Sequence, residues 1–123
     1  RDRSVSRGLG DVYKRQEEDL ALTGVTRSVA EQVRTLAEQA QTAGLSGVVA
    51  SPQEAAMLRE ALGSSAYIVT PGVRPAGSST DDQSRIATPR QAFDNGASHL
   101  VIGRPITAAS DPALAFDNIV KGL

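Results

Sequence analysis

Leu100-Val101-Ile102-Gly103-Arg104-Pro105-Ile106-Thr107 opens as an apolar run and breaks abruptly into a glycine, a cation and a proline. A short apolar run bounded in this way reads as a buried strand that ends in a turn. The turn offers glycine-flanked backbone N–H groups next to a guanidinium, a pairing that suits a phosphate because the guanidinium fork matches its oxygens. Two similar junctions lie upstream. Gly47-Val48-Val49-Ala50 runs into Ser51-Pro52, and Tyr67-Ile68-Val69-Thr70 runs into Pro71-Gly72-Val73-Arg74. Gly47 to Ala50 shows no alternation of polar and apolar residues, which predicts a strand covered on both faces.

Between these strands the sequence writes helix signals. Ser28 and Glu31 have the spacing of a capping box, and Val29, Val33, Leu36, Ala37 and Ala40 recur at helical spacing until Gly44. Ser51-Pro52-Gln53-Glu54 predicts a second start, with a cap, a proline at the first helical position and Ala55, Leu58 and Leu62 on one face until Gly63. Thr88-Pro89-Arg90-Gln91 starts a third helix that Gly96 closes, and Asp111-Pro112 starts a last one through Leu114, Ala115 and Ile119. Strand and helix thus alternate three times, which implies parallel strands joined by right-handed crossovers. An open doubly wound sheet and a closed (β/α) barrel both fit. No G-x-G-x-x-G turn favours a dinucleotide fold. A closed barrel takes roughly 250 residues, so on the barrel reading these 123 residues are part of one.

Composition narrows the function classes. Hydrophobic residues make up 40%, charged residues 22%, and the net charge is −1. Without an overall basic excess, and with aromatics at 3%, the chain has little for base stacking or a phosphate backbone, so a nucleic-acid partner is not expected. No apolar run approaches the roughly 18 residues of a membrane span. The absence of cysteine excludes disulfides and thiolate metal sites, and the single histidine, His99, argues against a histidine-built metal site. Residues 1–16 stand apart: five basic against two acidic residues give +3, while the other 107 carry eight basic and twelve acidic, or −4. This start lacks the apolar core of a signal peptide, and Asp2 and Asp11 count against a transit peptide. Its string resembles an extension found at the ends of unrelated gene fragments. We therefore expect residues 1–16 to be a non-native extension and residues 17–123 to form the partial barrel domain.

In either architecture the loops at the strand ends carry function. Phosphate sites recur in barrels after the last two strands, which places a phosphorylated ligand at Arg74, Gly103 and Arg104. The polar run from Pro75 to Arg85 is long enough for a lid. Ser51 reads as a cap, since no histidine is placed to activate it. Asp81-Asp82 reads as a solvated pair, and His99 as a residue at the far end of its strand.

Taken in order, Thr70 to Pro75, Asp82-Gln83-Ser84-Arg85, Thr88-Pro89 with Ala92, Gly96-Ala97, and Leu100 to Thr107 with Asp111-Pro112 resemble the C-terminal half of orotidine 5′-phosphate decarboxylase. Glu18-Asp19-Leu20, Gly24-Val25-Thr26 and Ser51 to Glu54 are similar to the family's bacterial members. The resemblance implies the C-terminal part of a (β/α)8 TIM barrel. It implies that Arg74, after the seventh barrel strand, and Gly103 with Arg104, after the eighth, hold the 5′-phosphate. Gln83 would bridge phosphate and pyrimidine, and Pro71 would form part of the wall beside the base. It further implies conversion of orotidine 5′-phosphate to uridine 5′-phosphate and carbon dioxide in pyrimidine synthesis, in the cytoplasm, by a homodimer using neither metal nor organic cofactor. The chain departs from the family pattern at the chemistry. The catalytic D-x-K-x-x-D stretch is absent, and the only lysines are Lys14, at the wrong spacing, and Lys121 in the last helix. The expected chain therefore holds the phosphate and lid half of a site, with no catalytic residue and no activity alone. A non-catalytic nucleotide-binding half barrel, or another phosphate-binding decarboxylase or epimerase barrel, are the alternative readings.

Overall fold

Helix starts in this chain are set by side chains that satisfy free backbone N–H groups, and three of the four expected caps form as spaced. A computed structural model describes residues 9–77 and 86–123. The elements are α1 (Leu9–Leu22), α2 (Val29–Thr42), β1 (Gly47–Val49), α3 (Ala55–Leu62), β2 (Tyr67–Pro71), α4 (Pro89–Asp94), β3 (His99–Val101), α5 (Arg104–Thr107) and α6 (Pro112–Lys121). Ser28 and Glu31 form a reciprocal capping box at α2, as do Thr88 and Gln91 at α4, and the Asp111 carboxylate accepts the Leu114 N–H at α6. Helix α1 runs across the expected boundary after Gln16.

The second start departs from expectation. Helix α3 begins only at Ala55. Ser51 to Glu54 instead close a turn in which the Glu54 carboxylate accepts both the Ser51 N–H (3.2 Å) and the Ser51 hydroxyl (2.7 Å). The hydroxyl donates to that carboxylate, and no side chain caps the N-terminus of α3. Residues 104–107, given no element of their own in the sequence reading, form a helical turn with proline in its first positions. Proline is pre-shaped for that place.

The three strands are parallel, in the order β1-β2-β3. Val48 pairs with Ile68 and Thr70 with Leu100, so these four share one face and pack beneath the helices. Leu58 and Ile68 are fully buried there with Ala37, Ala50, Ala55 and Leu62. Gly47, Val49, Tyr67, Val69, Pro71, His99 and Val101 lie on the opposite face. Val49 is 72% exposed, so β1 is covered on one face and not on both, because every crossover helix lies on the same side. Leu36, on the flank of the α2 stripe centred on Val29, Val33 and Ala37, is also exposed. On the outer surface of α2, Glu38 accepts a hydrogen bond from Arg34 and keeps that guanidinium's pKa above its ordinary value.

Arg59 ties three segments together. Its Nε donates to the Gly96 carbonyl (3.0 Å), and Nη1 reaches the carbonyls of Gly63 (2.8 Å), Ser64 (3.2 Å) and Ala66 (2.7 Å). Gly96 allows this approach. Its φ is +104°, and a Cβ there would sit 2.8 Å from Arg59 Cβ. Hydrogen bonds from a charged donor are worth about 1.5–3 kcal/mol each, less where water replaces them. Arg59 is half-buried, so Arg59→Ala should cost about 2 kcal/mol in total, measurable by urea denaturation.

Thr70 has the opposite character. Its side chain is fully buried, and among the described residues Oγ1 has no hydrogen-bond partner. Burying an unpaired hydroxyl costs roughly 1–3 kcal/mol, and valine has nearly the same shape. Thr70→Val should therefore stabilise the fold by about 1 kcal/mol, read as a raised denaturation midpoint.

Candidate functional site

Parallel pairing brings all the strand-end groups to one end of the sheet. Pro71, the last residue of β2, is in register with Val101, the last of β3. Arg74 follows the first by three positions, and Gly103 and Arg104 follow the second by two and three. Arg74 is half-buried, and its backbone N–H donates to the Ala87 carbonyl (3.2 Å). The long polar loop therefore leaves and returns at one point beside β2. Gly103 precedes α5, and its carbonyl accepts from the N–H groups of Ile106 (2.9 Å) and Thr107 (3.0 Å). Arg104 is exposed as the first residue of α5. Gln83 lies outside the described residues, as do Asp81 and Asp82.

A cleft of about 670 Å³ opens at the same end, lined by Val49 to Glu54, Pro71, Gly72, Ile86 and Ala87. Pro71 lines it, while Arg74, Gly103 and Arg104 lie outside its lining. Ser51, Gln53 and Glu54, given no individual role beyond a helix start in the sequence reading although Ser51-Pro52 was placed at a strand end, also border the cleft. The signal was their place directly after a strand. His99, by contrast, opens β3 at the other end of the strand, exposed, with its ring edge-on to Tyr67 at 5.5 Å. Among the described residues no helix is long and apolar enough to cross a membrane.

Residues 13–119 match the family model described as orotidine 5′-phosphate decarboxylase / HUMPS family. The chain belongs to that family. Among its relatives, an orotidine 5′-phosphate decarboxylase of Pseudoalteromonas atlantica is 53% identical over 111 residues, covering 90% of this chain and 47% of that protein. One of Moorella thermoacetica is 60% identical over 92 residues, covering 75% and 36% respectively. The crystal structure of orotidine 5′-phosphate decarboxylase from Lactobacillus acidophilus superposes with a TM-score of 0.70 at 40% identity, covering 84% of this chain and 42% of that one. The chain thus spans less than half the length of these decarboxylases. Its three parallel strands alternating with helices are part of a TIM barrel, the fold that the resemblance implied.

Proposed function

We propose that this chain supplies the phosphate-holding and lid half of an orotidine 5′-phosphate decarboxylase site. The observation that carries the reading is the register of β2 and β3, which sets Arg74 and Gly103-Arg104 beyond adjacent strand ends, next to the cleft that Pro71 lines. In this reading the two guanidinium groups and the Gly103 backbone bind the 5′-phosphate. Charge-assisted hydrogen bonds to the phosphate oxygens give both affinity and orientation. The pyrimidine occupies the cleft against Pro71. Gln83, on the loop whose ends meet at the Arg74–Ala87 hydrogen bond, bridges phosphate and base when the loop closes. Closure excludes water and uses binding energy from the phosphate, remote from the reacting carbon, to assemble the site.

The chemical step belongs to groups outside this chain's strand ends. Loss of carbon dioxide leaves a carbanion that a cation must stabilise and then protonate, and neither Lys14 nor Lys121 has the sequence spacing of a D-x-K-x-x-D stretch. Substrate, product, cytoplasmic location and the homodimer of complete barrels form part of the same proposal. Residues 1–16 take no part in it.

The test is a chimera in which Glu17–Leu123 replaces the matching segment of the Pseudoalteromonas atlantica relative. Decarboxylation of orotidine 5′-phosphate by the folded chimera is the expected result. A folded chimera that neither binds nor turns over this nucleotide would remove the reading. Prefixing residues 1–16 to the replaced segment should leave its Michaelis constant unchanged.

A further inference from the structure

The sequence holds two asparagines, and each closes the same triplet, Phe93-Asp94-Asn95 and Phe116-Asp117-Asn118. They differ in the residue that follows. Asn118 lies inside α6 and precedes Ile119, whose stiff branched side chain crowds its own N–H. Asn95 is the exposed C-cap of α4 and precedes Gly96, which has no side chain to shield its nitrogen. A backbone nitrogen directly after an asparagine is a nucleophile within reach of that residue's carboxamide carbon.

The geometry around Gly96 restrains this attack. Asn95 has φ −79° and ψ −1°, and the Gly96 N–H donates to the Phe93 carbonyl (2.9 Å). Rotation about the Asn95 ψ that frees the nitrogen also moves the rest of Gly96, whose carbonyl is held by Arg59 Nε at 3.0 Å. The restraint is local. Helix α4 has only six residues, and short, exposed helix ends open at small free-energy cost.

We propose that Asn95 is a site of spontaneous backbone modification and that the Arg59 clamp on Gly96 sets its rate. When the last turn of α4 opens, the Gly96 nitrogen gives its proton to hydroxide and bonds to Asn95 Cγ. The bond from Cγ to the side-chain nitrogen breaks, and that nitrogen leaves as ammonia with a proton taken from water. Water then opens the cyclic imide. Opening at the side-chain carbonyl gives aspartate, and opening at the main-chain carbonyl gives isoaspartate, which lengthens the backbone between α4 and β3. The net change is amide plus water to acid plus ammonia, with nothing oxidised or reduced. Either product sets a second carboxylate beside Asp94 at a helix C-terminus, where negative charge is unfavourable. The longer backbone of isoaspartate also shifts Gly96 against Arg59.

The experiment incubates the full 123-residue chain at neutral and at mildly alkaline pH, with and without urea. Mass spectrometry of tryptic peptides reads the conversion of amide to acid, and enzymatic methylation reads isoaspartate. Trypsin does not cut before Pro105, so both asparagines fall in the peptide Gln91 to Lys121. Fragmentation separates them, and Asn118 serves as the internal control. Conversion at Asn95 should run several-fold faster than at Asn118, and faster at the higher pH because the attacking nitrogen must lose its proton. Arg59→Ala should speed it by about tenfold, the equivalent of one charge-assisted hydrogen bond. Urea unfolding releases the clamp without a substitution and should speed it at least as much. If Arg59→Ala loses its helical circular dichroism, the urea comparison decides alone. An intact Asn95, or equal conversion at the two asparagines, overturns the site. A rate unmoved by folded Arg59→Ala, or by urea where that variant is unfolded, overturns the clamp.

Discussion

In the decarboxylating chimera, Arg104→Ala raises the Michaelis constant for orotidine 5′-phosphate at least about tenfold. The size follows from the bond it removes. A hydrogen bond between charged groups contributes about 1.5–3 kcal/mol, and each 1.4 kcal/mol is a factor of ten. The fold should not suffer, because Arg104 is exposed at the start of α5. Arg104→Lys keeps the charge but loses the fork, so it should recover only part of the affinity. Arg74→Ala is a less clean probe, since Arg74 is half-buried. Steady-state kinetics at fixed ionic strength would check the series. An unchanged Michaelis constant for Arg104→Ala would take that residue out of the phosphate site.

Gly47→Ala should destabilise the chimera by at least about 3 kcal/mol, the upper end of the usual overpacking cost. The added Cβ would overlap the Tyr67 carbonyl oxygen and lie 2.5 Å from Tyr67 Cβ. Backbone cannot swing aside as a flexible side chain would. The cost is therefore met by separating β1 from β2, whose register runs Gly47 to Tyr67, Val48 to Ile68 and Val49 to Val69. For a protein of this size class such a loss lowers the thermal midpoint by several degrees or more. Calorimetry showing no change would mean that the two strands approach less closely than described here.

How much of this was written in the sequence depends on how local each signal is. Caps and glycines act over three or four residues, and Ser28, Thr88 and Asp111 each start the helix that their spacing implies. Strand identity was equally legible from short apolar runs. Ser51-Pro52-Gln53-Glu54 misled because the Ser51–Glu54 hydrogen bonds close a turn that precedes the helix, which starts only at Ala55. The turn of helix at Arg104 was visible in principle, since a proline two residues after a turn glycine, in the first positions of a helix, is a helix-start signal. Coverage of β1 could not be read locally. An apolar run records that both faces suit burial, and what lies on each face is a matter of the whole assembly. At the site, the common end of Arg74, Gly103 and Arg104 followed from parallel pairing alone. The cleft beside Ser51, Gln53 and Glu54 required the three-dimensional arrangement of two strand ends and the returning loop at Ile86 and Ala87.

The central claim is that the chain contains the grip for the phosphate and lacks the group that performs the chemistry. Its most direct test is the decarboxylation rate of orotidine 5′-phosphate with the purified 123-residue chain, produced in a host whose own decarboxylase gene has been deleted. The account predicts no turnover above the uncatalysed background at any protein concentration. Turnover that scales with protein concentration and is lost in Arg104→Ala would contradict it.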